Sequence, residues 1–277
     1  MAQGDAATGG SLRLSHALAL GALHGPAELL PISSSGHITV VPWLCSWDYL
    51  ELDDELRKSF EVAVHAGTAA ALMITLRDEI RHTVASANTR LAVLILLSFL
   101  PPALVGYGLE GPIERHLGTP GTIAFALIAG GAVMALADRI PQSRGQGEAT
   151  PLDALLLGIA QACALMPGVS RNGATLAAAR LRGFTRTEAN RLSRQVALPV
   201  IAGATLLKGV RLRRRGLPKS MRIAFVAGAG AAFISTLGST WLISQVERDR
   251  SLLPYTLYRL ALGSVVLGRL ACFKMES

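Results

Sequence analysis

The sequence predicts an all-α, polytopic integral membrane protein made of two inverted-topology repeats, each with a re-entrant broken helix pair and about three transmembrane helices. Three observations carry that prediction. Hydrophobic residues make up 51% of the 277-residue chain and charged residues only 17%, against about 25% charged in an ordinary soluble domain. Leu91–Leu109, Thr119–Ala137 and Ile223–Val246 carry no charge over 19, 19 and 24 residues, and about 20 apolar residues cross a bilayer core. A polar, proline-broken cluster near Pro31 also recurs half a chain later, near Pro167.

The elements follow in order. The first 18 residues contain an acid and no apolar run long enough for a signal peptide, so the first hydrophobic segment is expected to serve for insertion. The segment near 14–37 carries His16 and His24 and stops in ELLPISSSGH, Glu28 to His37. Spans near 59–77, 91–109 and 119–138 follow, and Asp138-Arg139 reads as a helix end. The second half repeats the order: a broken segment at 154–174, then spans near 190–208, 222–246 and 252–270. At an offset of 137, Leu20, Gly21, Ser33 and Gly36 fall on Leu157, Gly158, Ser170 and Gly173. One membrane domain, 1–277, therefore holds repeats at about 12–138 and 151–272. Three spans per repeat force the halves into opposite orientation, and the broken helices then meet near the midplane, where non-helical backbone must line a cavity.

Net charge is +8, yet nucleic acid is not an expected partner. The charge concentrates in Arg211–Arg222, which holds five Arg and one Lys with no acid, and no aromatics interleave to stack bases. The positive-inside rule makes that stretch cytoplasmic. Arg77–Arg90, with three Arg against Asp78 and Glu79, reads as the outer loop. Cys45, Cys163 and Cys272 are too scattered for a zinc site or a disulfide framework.

The two polar clusters supply a set of chemical parts. Glu28 offers a carboxylate for a divalent cation or a proton. Ser33, Ser34 and Ser35 offer hydroxyls, Gly36 a close backbone approach, and His37 a nucleophile or general acid/base. From the second cluster, PGVSRNGAT, Arg171 offers a rigid fork suited to phosphate oxygens. Ser170, Asn172 and Thr175 flank it, while Gly168 and Gly173 permit turns whose amides can hold an anion. Together these suit phosphoryl transfer. Glu61 and His65, at i and i+4 in an apolar segment, and Gln161, the repeat partner of His24, are supporting candidates.

These motifs resemble those of the bacterial undecaprenyl-pyrophosphate phosphatase family, the bacitracin-resistance proteins. ELLPISSSGH is similar to the family's Glu-Phe-Leu-Pro-x-Ser-Ser-x-Gly-His, and ALMPGVSRNGATL to its Pro-Gly-x-Ser-Arg-Ser-Gly-Ala-Thr; FEVAVHAGTAAAL and LPVIAGAT also resemble family stretches. The resemblance implies a multi-pass protein of the bacterial plasma (inner) membrane that hydrolyses undecaprenyl diphosphate to the monophosphate carrier of cell-wall synthesis. It implies a divalent cation, Mg²⁺ or Ca²⁺, and an active site opening to the outer face. By position, Glu28, Ser34, His37 and Arg171 match residues the family uses; the sequence leaves the nucleophile open between serine and histidine. Polyprenyl diphosphate and membrane lipid are the expected partners, and a homodimer is compatible with the sequence.

One position departs from the family. Where it has a second acid four residues before the conserved Glu, this chain has His24. Positions i and i+4 share a helix face, so His24 and Glu28 are the expected metal ligands, with less negative charge than two acids and a poorer match to Mg²⁺. Pro26 between them is expected to distort the helix. That departure keeps an alternative in play: a flippase or a weakly active relative that binds lipid phosphate without cleaving it efficiently.

Overall fold

The computed structural model describes residues 12–86, 88–215, 219–248 and 251–276. Among these the protein is all helix and turn, apart from an isolated bridge between Arg144 and Phe184. The helices are α1 Leu14–Leu29, α2 Ser34–Leu44, α3 Asp54–Thr75, α4 Arg77–Ala85, α5 Thr89–Leu117, α6 Pro120–Ala137, α7 Pro151–Cys163, α8 Arg171–Leu181, α9 Arg186–Arg215, α10 Arg222–Gly238, α11 Trp241–Arg248 and α12 Leu253–Glu276. The amino-terminal residues weighed for a signal peptide lie largely outside the described residues, as do most side chains of the basic stretch 211–222.

Local sequence sets the helix ends. Asn88 and Thr119 cap α5 and α6 by accepting from the amides of Leu91 and Thr122, and Pro120 and Pro151 stand at first-turn positions where no donor is lost. Thr150 and Asp153 form a reciprocal capping box at α7. α1 ends because Leu30 precedes a proline, which disfavours helical backbone; Leu30 is extended at φ −87°, ψ 153°. Pro26 lies inside α1 without ending it, so His24 and Glu28 keep their common face.

Among the described residues, four helices are long and apolar enough to cross a membrane, or up to five if the bent pair α3–α4 counts as one. The span Thr89–Leu109 has hydropathy 2.0, yet only 11% of that window is buried inside the protein. Phe125, Ile223 and Val226 are each about two-thirds or more exposed, at 67%, 72% and 73%. Such apolar surface is untenable in water and natural against lipid. The chain is a multi-pass membrane protein.

Two expectations need correction. Ile223–Val246 is not one span: it breaks after Gly238, where Ser239 and Thr240 turn the chain into the separate α11. Side-chain hydroxyls there compete with the ladder, as Thr236 Oγ1 donates to Ala232 O at 2.6 Å. Much of the stretch read as a loop at 77–90 is helix α4, bent 67° from α3. Its charges mislead because a short, exposed polar helix has the composition of a loop.

Packing interleaves the two halves. α10 lies along α1 and α3, α5 lies along α7, and α6 pairs with α12. Small residues allow this: a Cβ on Gly21 would stand 2.2 Å from Gly228 O. Leu20, Phe60, Val64 and Phe225 fill one core there, and Met134, Leu157, Leu176, Phe184 and Leu192 fill another. The first core lies beside the break at 30–33, through Leu20 and Ile38, and the second lies beside that break and the one at 164–170, through Leu30, Leu157 and Leu176.

Candidate active site

The breaks are built alike. Ser33 and Ser170 both take positive φ, 77° and 66°, unusual for residues with a side chain. Each then caps the next helix: Gly36 N donates to Ser33 Oγ at 3.3 Å and Gly173 N to Ser170 Oγ at 3.2 Å. The cap offsets part of the backbone cost. The two serines thus aim α2 and α8 at a shared centre with their amino-terminal ends, where exposed amides favour anions.

Glu28 is the hub of that centre. Its Oε2 accepts a hydrogen bond from Ser34 Oγ at 2.5 Å, and its Oε1 pairs with Arg171 from the second break. Asn172 Nδ2 donates to Leu29 O at 2.9 Å, and Ser193 Oγ donates to Asn172 Oδ1 at 3.3 Å. Glu28 and Arg171 stand in the walls of two neighbouring cavities. The larger, about 240 Å³, takes in Ser33, Ser34, Ser35, Glu61, His65, Gln161, Ser170, Arg171 and Asn172, with Leu165, Val200, Ile201 and Ala204 as its apolar side. The smaller, on the far side of the Glu28–Arg171 pair, adds Asn190, Ser193 and Arg194.

His24 lies behind Glu28, fully buried. Its Nδ1 meets Thr68 Oγ1 at 2.8 Å, and its Nε2 is buried with no hydrogen-bond partner. His65 stands edge-on to it, ring centroids 4.2 Å apart, with Nε2 4.0 Å from Glu28 Oε2. Gln161 Nε2 donates to Ser98 O at 3.1 Å.

Other candidates face elsewhere. His37 turns away from the cavity: its Nδ1 donates to Ser33 O at 2.6 Å, its Nε2 meets Tyr258 Oη at 2.6 Å, and its ring stacks on Tyr258. The reason is local, since Ser33 at i−4 captures the imidazole. The glycines read as ligand-approach points instead let the breaks touch each other. A Cβ on Gly36 would lie 3.4 Å from Gly168 Cα, and one on Gly173 would lie 2.9 Å from Arg259 and 3.4 Å from Pro31 O. Gly168, at φ +97°, leaves no room beside Ile123 O, 2.6 Å from its ideal Cβ. Thr175 Oγ1 is engaged with Arg171 O at 2.9 Å and Ser193 Oγ at 2.5 Å.

Arg259 has no role in the sequence reading, although an intramembrane arginine is the signal that could have found it. It is fully buried on α12 and donates to Leu127, Ala126, Pro31, Gly168 and Val169 carbonyls. Arg186 pairs with Asp138 at 2.7 Å, and Arg194 joins Glu79 at 3.2 Å to Glu247 at 2.6 Å.

Residues 17–265 match the family described as Bacitracin resistance protein BacA. The chain is 40% identical over 269 residues to the undecaprenyl-diphosphatase of Geobacter sulfurreducens, covering 92% of this chain and 97% of that one. It is 38% identical over 265 residues to that of Geobacter metallireducens, with 91% and 96% covered. With the undecaprenyl-diphosphatase of Thermomicrobium roseum it shares 37% over 273 residues, again 91% and 96%.

Proposed function

The chain belongs to the bacitracin resistance protein BacA family, and from that premise we infer that it acts as its curated relatives are named. It is a membrane hydrolase that cleaves undecaprenyl diphosphate to the monophosphate carrier and phosphate. The observation that carries the reading is Glu28 holding Ser34 on one oxygen and Arg171 on the other. The relatives lend no support to a flippase that binds without cleaving.

Ser34 is the nucleophile on this reading. Its hydroxyl hydrogen already points at a carboxylate, the nucleophile–base pairing that activates a weak alcohol. Ser34 Oγ attacks the terminal phosphorus; the Oγ–P bond forms, the bond to the bridging oxygen breaks, and the serine proton passes to Glu28. The lipid monophosphate leaves as an anion and needs no proton. Glu28 releases that proton to solvent; water then attacks the phosphoserine, Glu28 takes the water's proton and passes it to the departing Ser34 Oγ as the Oγ–P bond breaks, which frees phosphate and restores Ser34. Arg171 neutralises the oxygens where charge develops. The amino-terminal ends of α2 and α8 add amides to the same region. The apolar wall of Leu165, Val200 and Ile201 suits the polyprenyl chain.

A divalent cation completes the proposal. Glu28 and His24 would hold it, and the unpartnered, buried Nε2 of His24 fits such a role. When bound, it supplies charge neutralisation to the diphosphate.

The two like-built breaks, with Ser33 and Ser170 in one backbone conformation, support the inverted-repeat reading of one membrane domain. The outer-face opening draws on the positive-inside rule. The basic end of α9 goes to the cytoplasm, while Arg194, nearer the start of α9, is tied to Glu79 on α4, so α4 lies toward the outside of the plasma membrane.

The test is phosphate release by purified protein given undecaprenyl diphosphate and a divalent salt. Release that persists unchanged in Ser34→Ala and Arg171→Ala defeats the reading. Trapping of a phosphoserine at Ser34 after an acid quench supports the covalent step.

A further inference from the structure

We propose that His24, Glu28 and His65 form one cation site that selects an imidazole-binding ion of the zinc and cobalt class over magnesium or calcium. The proposal rests on the phosphatase reading for its purpose, and on geometry for its ligands.

Each of the three residues offers a ligand atom, and the three atoms lie within 4.8 Å of one another. Tetrahedral ligation at about 2.0–2.1 Å wants donors roughly 3.3 Å apart, so the trio is open by a modest side-chain swing. His24 and Glu28 come from one face of α1 and His65 from the adjoining α3.

The remaining ring nitrogens are arranged as metal-bound histidines require, with the far nitrogen held by a protein oxygen. His65 Nδ1 donates to Glu61 O at 2.8 Å. This turns Nε2 toward Glu28 Oε2, 4.0 Å away. His24 Nδ1 is engaged by Thr68, and its Nε2 is fully buried without a hydrogen-bond partner. A buried ring nitrogen left unpaired beside a carboxylate and a second imidazole is a group that a bound ion would satisfy.

Ligand chemistry sets the ion. Magnesium and calcium take oxygen donors and rely on carboxylate charge. Two neutral imidazoles and one carboxylate are the His₂Glu set of catalytic zinc, which keeps a further position open. Arg171 already draws on Glu28, so the loaded site carries net positive charge until diphosphate arrives. Metal and diphosphate should therefore tighten each other's binding.

The experiment uses the untagged full chain in detergent, stripped by chelator and titrated with Co²⁺, whose visible absorption reports nitrogen and oxygen ligation. The expected result is one Co²⁺ per chain, displaced by equimolar Zn²⁺ and retained against a hundredfold excess of Mg²⁺ or Ca²⁺. Inorganic pyrophosphate should tighten it. His65→Gln and His24→Ala should each weaken Co²⁺ binding by at least about 10–100-fold, the loss that follows from removing an outer-shell partner alone. His24→Glu, which keeps a ligand should the alanine variant not fold, should shift preference toward Mg²⁺. No Co²⁺ binding, a signal that survives both histidine changes, or displacement by equimolar Mg²⁺ overturns the proposal. Phosphate release with no Co²⁺ absorbance sinks the metal assignment and leaves the phosphatase reading. Co²⁺ absorbance in a chain that releases no phosphate with any divalent ion does the reverse.

Discussion

Arg259 donates through one guanidinium nitrogen to Pro31 O at 3.3 Å, in the first break, while another donates to Gly168 O at 3.0 Å and Val169 O at 2.9 Å in the second. One side chain of α12 thus clamps both broken loops from behind. The charge is buried and satisfied by carbonyls, a geometry that only a planar fork of donors can fill. Arg259→Lys keeps the charge and loses the fork. It should destabilise the protein by about 3 kcal/mol, read as a fall in thermal midpoint in detergent. Phosphate release should fall with it, because Ser34 lies three residues after the clamped Pro31 and Arg171 two after Val169.

Ser34→Ala and Glu28→Gln separate the attacking group from its base. The alanine variant removes the only hydroxyl bonded to Glu28 among the described residues and should lower phosphate release by at least about 10³-fold with little change in melting. The glutamine variant keeps the shape and loses proton acceptance, for a smaller drop of roughly 10²–10⁴-fold. A Ser34→Ala enzyme within tenfold of the parent would point to direct attack by water.

His37 makes the opposite forecast. With Nδ1 on Ser33 O and Nε2 on Tyr258 Oη, it acts as a strut for the strained serine. Tyr258→Phe removes one of those bonds and should cost about 1 kcal/mol of stability, while kcat stays within about threefold. A hundredfold loss of kcat at unchanged melting temperature would return His37 to the chemistry.

What the sequence disclosed and what it hid follow from range. ELLPISSSGH and PGVSRNGAT were legible because polar groups in apolar segments are costly without a purpose. The Glu28–Arg171 pair could be guessed from the repeat, but it joins residues 143 positions apart, and no local pattern encodes that. Hydropathy registers composition, so it ran through the break at Ser239. The side chain of His37 could not be placed from its motif, because a turn at Ser33 with φ 77° sets the direction of α2. Arg259 was visible as an anomaly, and only the fold says which carbonyls it meets.

Asp153 gives the last prediction, and it concerns pH. It caps the first turn of α7, outside the long spans, and its carboxylate is buried between Arg144 at 2.7 Å and Arg182 at 2.5 Å, with Thr150 donating as well. Burial alone would raise its pKa, but the hydrogen bonds from Arg144, Arg182 and Thr150 outweigh that and hold it well below the usual carboxylate range. A carboxyl depressed in the folded state contributes stability that is fully present above its unfolded pKa of about 4. That contribution is lost as pH falls below 4 toward the lower folded value. Asp153→Asn removes it at every pH. The parent should therefore melt higher than the variant at pH 7, by an amount corresponding to roughly 2–4 kcal/mol. The gap should stay constant down to about pH 5 and close progressively below about pH 4. A gap that is the same at pH 3 as at pH 7 would show that Asp153 does not hold its charge through these arginines.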